Sequence, residues 1–146
     1  MEAKNKIVEQ LKIIRGAIDA NKNFVSRLPV FARGFAEQDF AGNTGMGFND
    51  WLILLDKVIG KLEKPTEPTG EEAKDLANDC IKLSTHLERY ARYLMTVPDK
   101  IRMASSFFQV DEAAMKSAME APKFAESVRS LKQDIDNLIK ELQARA

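Results

Sequence analysis

Residues 27–55, RLPVFARGFAEQDFAGNTGMGFNDWLILL, decide the fold of this chain. The stretch holds four of the eight phenylalanines (Phe31, Phe35, Phe40, Phe48), the single tryptophan, Trp51, and four of the seven glycines. Pro29 stops the helical pattern before it, because the residue preceding a proline is pushed out of the helical region. Residues 30–41 then read as a short helix with Phe31 and Phe35, and with them Ala32 and Ala36, turned inward. GNTGMG follows. Three glycines in six residues permit positive φ and a sharp reversal. Asn49 or Asp50 is placed to cap a helix over about 50–63, whose face carries Trp51, Leu55, Val58 and Leu62, with Leu52 and Ile59 beside them. The stretch is expected to be the aromatic corner around which longer helices close.

Working outward, residues 3–28 predict one long helix. Ile7, Leu11, Ile14, Ile18, Val25 and Leu28 recur at alternating steps of four and three, with Asn21 filling a gap in the seam. On the other side KPTEPTG (64–70) reads as a linker, and Thr69 with Glu72 has the spacing of a capping box. The helix that follows is expected to run to about Val97 with Ala73, Leu76, Cys80, Leu83, Leu87, Tyr90 and Leu94 inside. Its acidic start and basic end suit the helix dipole. Pro98 is expected to break it. Residues 99–109 and 111–120 read as two short helices, the second capped by Asp111, and a last helix over 122–144 starts at Pro122. It buries Phe124, Val128, Leu131, Ile135, Leu138 and Leu142. No segment alternates with period two. The expected fold is all-α: one domain over 1–146, an antiparallel helical bundle of four main helices plus shorter connecting helices.

The totals narrow the function. Apolar residues are 45% and charged residues 30% of the 146, which marks a globular chain with a real core. Lys+Arg and Asp+Glu are 22 each, and a net charge of zero argues against a DNA-coating protein. One cysteine makes no internal disulfide, and with one histidine it makes no structural zinc site. No apolar run reaches the length of a membrane span, and MEAKNKIVEQLK lacks the apolar segment of a signal peptide. A cytoplasmic protein without metal, cofactor or membrane contact is the expectation.

No catalytic constellation emerges, so the chain reads as a non-enzyme. GNTGMG lacks the lysine and hydroxyl residue of a phosphate loop, and Phe48 and Asn49 stand there instead. His86 sits beside its helix seam, crowded by Arg89 and Tyr90 where a phosphotransfer domain needs room. Position 83 is leucine, so there is no Glu-x-x-His pair for a di-iron site. Cys80 lies on a core seam with no histidine near enough to activate it. Two softer signals remain. Met103, Phe107, Phe108, Met115 and Met119 make a Met/Phe-rich segment suited to binding another protein or a second copy of the chain, or to covering an apolar ligand as a carrier would. Arg89, Arg92, Tyr93, Lys100 and Arg102 make the one basic-aromatic cluster, a candidate nucleic-acid contact.

FVSRLPV (24–30) and CIKLSTHLERYARYLM (80–95) bear a faint resemblance to the small all-helical subunit of type III CRISPR effector complexes. Pro29 matches that family's turn, and Leu87, Arg89, Tyr90 and Ala91 its Leu-x-Arg-aromatic-Ala run. The interval between the pieces is short for the family. The resemblance implies a non-catalytic subunit along an RNA-guided filament. The leading expectation is a helical adaptor or subunit that acts through its Met/Phe-rich surface.

Overall fold

The computed structural model describes residues 2–146, with side chains from Ala3 onward. Five helices account for the fold, and no strand occurs among the described residues: α1 (Glu2–Ser26), α2 (Val30–Thr44), α3 (Phe48–Leu62), α4 (Glu71–Ser105) and α5 (Glu112–Arg145). The α1 seam is buried as its spacing requires, from Ile7 through Leu11, Ile14 and Ile18 to Val25, and Leu28 follows in the turn beyond the helix. Cross-contacts fix the senses. Lys4 donates to the Lys64 carbonyl, Lys12 meets Glu63 and Arg15 meets Asp56, so α1 and α3 run oppositely. Lys61 on Asp79 and Trp51 on Tyr90 set α3 against α4 in the same way. The Gly70 amide donates to the Arg145 carbonyl at one end of the α4/α5 pair, and Arg102 reaches the Met119 sulfur at the other.

Several local expectations fail for physical reasons. Pro98 does not break the chain: α4 continues through it for 35 residues in all. Pro122 likewise lies inside α5, so the two short helices expected over 99–109 and 111–120 are the ends of α4 and α5. A proline removes one helical hydrogen bond and crowds the preceding turn, at a cost of about 3 kcal/mol. Here the paired helices supply compensating burial: Leu94 and Ile101 on α4, Ala118, Ala121 and Ala125 on α5. The Ser84–Asp136 bond lies the same number of residues from Pro98 as from Pro122, so the two prolines stand at one level of the hairpin. The caps differ too. Gly47 precedes α3 and Gly70 precedes α4, neither with a side-chain cap bond, so Asn49, Asp50 and the Thr69/Glu72 pair do not cap. Asp111 does cap α5, accepting from the Ala114 amide at 2.7 Å.

Phe31 and Phe35 are the largest correction. They point outward, 78% and 77% exposed, while Ala32 and Ala36 pack on the core and Phe40 is fully buried. The inner face of α2 thus runs from two alanines to the fully buried ring of Phe40.

The corner itself forms. Gly45 takes φ of 91°, a left-handed conformation that glycine adopts without strain. A Cβ there would stand 2.7 Å from Arg89 Nη1 and 2.9 Å from His86 Cδ2. Phe40 stacks on Phe48 with centroids 4.1 Å apart, and Trp51 tilts on Tyr90 at 5.5 Å. The Trp51 indole N–H donates to the Thr44 hydroxyl at 3.0 Å, and that hydroxyl reaches the carbonyls of Phe40 and Met46.

Two half-buried carboxylates tie the layers together. Burial works to raise the Asp79 carboxyl, but hydrogen bonds from Lys61 (2.7 Å) and Lys57 (3.2 Å) outweigh it and hold it below its usual value. Asp136 is depressed in the same way, burial being overcome by Ser84 and Lys132. A native pKa below the unfolded one adds stability that is complete above about pH 5 and lost as pH falls through the native value. Thermal melting is therefore expected to drop steeply on the acid side. An Asp79→Asn, Asp136→Asn double variant is expected to be less stable at pH 7 and less sensitive to acid.

Candidate protein-interaction surface

The Met/Phe-rich segment divides. Met103 and Phe107 are exposed, at 68% and 76%. Phe108, next to Phe107, is half-buried against the core, and Met115 and Met119 are half-buried on α5. The chain keeps turning past the end of α4, because the amides of Phe107 and Phe108 both bond the Ala104 carbonyl. One step along that turn separates a core side chain from a free one. Phe107→Asp is thus expected to leave the melting temperature nearly unchanged. Phe108→Asp is expected to lower it sharply, since a charge would enter an apolar contact. Differential scanning fluorimetry of the two single variants checks this.

Phe31 and Phe35, missed as surface residues in the sequence, belong with Met103 and Phe107. Lys100 on α4 bridges Asp39 on α2 at 2.6 Å, and Arg89 donates to the Gly42 carbonyl at 2.9 Å, so these two residues mark the side of α2 that meets α4. Phe35 and Phe31 follow Asp39 at four-residue steps toward the start of α2. Met103 and Phe107 follow Lys100 at steps of three and four toward the end of α4. The helices run oppositely, so both rows extend from the bridge toward the same end of the molecule. Their high exposure means that the rows do not cover one another.

The basic-aromatic cluster divides between contacts to α2 and exposed pairs along α4. Arg89 donates to the Gly42 carbonyl near the end of α2 and Lys100 pairs with Asp39, while Arg92 pairs with Glu88 at 3.4 Å and Arg102 with Asp99 at 3.2 Å, both within α4. Tyr93 is half-buried, with its ring edge on Phe40 and Lys100 Nζ 4.4 Å from its centroid. Burial raises its hydroxyl pKa. Arg89, Tyr93 and Lys100 thus join α2 to α4, and Arg92 and Arg102 stay at the surface. The cleft beside it, about 270 Å³, is lined by Gly42, Asn43, Arg89, Arg92, Tyr93 and Thr96.

The remaining chemical candidates take structural places. Burial, with Asp79 next to it, pushes the Cys80 thiol up to about 12, which keeps it protonated and unreactive at neutral pH. His86 Nδ1 donates to the Lys82 carbonyl at 2.7 Å, and its ring stands edge-on to Trp51. Among the described residues no three His, Cys, Asp or Glu side chains gather as metal ligands, and no helix is long and apolar enough to cross a membrane. Comparison of the chain with protein-family models, with curated proteins and with solved structures finds no match.

Proposed function

We propose that this chain is a non-enzymatic helical adaptor or subunit that binds another protein chain through the face carrying Phe31, Phe35, Met103 and Phe107. The carrying observation is the high exposure of all four, on two rows that both start from the Asp39–Lys100 bridge. Monomeric soluble proteins seldom leave a contiguous apolar area above a few hundred Å² uncovered. Aromatic and methionine side chains are also the types enriched where protein interfaces are driest. A reducing compartment such as the cytoplasm suits a chain whose single cysteine is a free thiol.

The test is affinity purification from native extract with the wild type and with a Phe31→Ser, Phe35→Ser, Met103→Ser, Phe107→Ser variant that melts at the same temperature. The proposal expects the variant to lose specific protein bound by the wild type. Equal recovery with both would overturn it.

A further inference from the structure

We infer that the occupant of this face is a second copy of the chain, joined by an isologous contact. The inference rests on the proposed function and names its partner. Area is the first argument. Four large side chains that are two-thirds or more exposed offer roughly 600 Å² of surface. That reaches the upper end of what a monomer ordinarily shows, and it approaches the roughly 800 Å² that each partner buries in a standard interface.

Shape is the second. A two-fold contact requires one face to be complementary to itself. The Phe31/Phe35 row stands on α2, the Met103/Phe107 row on the last turn of α4 and the turn beyond it, and the high exposure of both leaves each free to meet a partner. A half-turn rotation sets the aromatic row of one copy against the methionine-bearing row of the other, so that each copy covers both rows of its partner.

Charge is the third. The chain's net charge is zero, so two copies meet without overall repulsion. The surroundings of the rows carry both signs: Arg33 and Glu37 on α2, Asp99 and Arg102 on α4, all exposed. A partner of one dominant charge would find no matching field here, whereas a copy of the same rim does.

Sedimentation velocity of the full chain across roughly 1–200 μM tests the inference, since a dimer forms by mass action. The wild type is expected to shift from monomer toward dimer with concentration. Phe31→Ser with Phe35→Ser, and separately Met103→Ser with Phe107→Ser, are each expected to raise the dissociation constant about tenfold or more. Ile53→Ser removes an exposed apolar side chain of α3, outside these two rows, and is expected to leave association unchanged. Melting curves accompany every variant, so a lost dimer is not mistaken for a lost fold. A wild type that stays monomeric throughout overturns the second-copy assignment, and so does a dimer indifferent to both double variants. Purification from extract still reports separately on a different protein partner, so the two readings fail independently.

Discussion

Trp51→Ala is expected to destabilise the protein by about 3–5 kcal/mol, as large-to-small changes of buried aromatics do. Trp51 is fully buried, touches Tyr90 and His86 through its ring, and carries the N–H that the Thr44 hydroxyl accepts. Three helices meet there, so the vacancy would open at the joint between α2, α3 and α4. Part of the loss is polar. Thr44→Val keeps the shape but leaves a buried N–H unmatched, with an expected cost of about 1–3 kcal/mol. Chemical denaturation of both variants separates the two contributions. The emission of Trp51 itself, the only tryptophan, is expected to be blue-shifted in the native wild type and to move red on unfolding.

Leu87→Asp is expected to have the larger effect and to leave no cooperative melting transition at neutral pH. Leu87 is fully buried in the core near the middle of α4, within the same heptad seam as Leu83, Tyr90 and Leu94. A carboxylate there would have no partner, and an unpaired buried charge costs several kcal/mol even after relaxation, comparable to the whole stability of a domain this size. Circular dichroism and a thermal scan check the result. Acidification is expected to recover part of the helix signal, because protonation removes the charge. A native-like melt at pH 7 would mean that α4 can turn this position to water.

The helical seams were legible because apolar steps of three and four, sustained over several turns, fit one face of a helix and neither face of a strand. Ile7 to Leu28, Trp51 to Leu62 and Ala73 to Leu94 all lie inward as their spacing requires. The prolines misled because their local penalty is easily read, whereas the support of a partner helix is not. A signal did exist: Leu94 and Ile101 are one heptad apart across Pro98, and Ala118, Ala121 and Ala125 continue through Pro122. In α2 the aromatic pair looked like a core face by size alone. The alanines four residues apart, leading to Phe40, were the better guide, because that spacing puts all three on the one face that meets the core. The candidate surface was half legible for the same reason. Met103 and Phe107 stood out by composition, but their association with Phe31 and Phe35 depends on the Asp39–Lys100 bridge, which no spacing within one segment foretells.

The shared level of Pro98 and Pro122 has a mechanical consequence. A single proline in one of two packed helices weakens one rod while its straight neighbour resists bending. Here each rod lacks the hydrogen bond on the N-terminal side of its own proline, to the carbonyl of Leu94 in α4 and of Ala118 in α5, so the two gaps adjoin across the shared level. The hairpin is therefore softest across one transverse line. Bending of the hairpin is expected to concentrate there, between the α4/α5 body and residues 99–121. Such a bend changes the spacing between the Met103/Phe107 row, which that segment carries, and the aromatic row of α2.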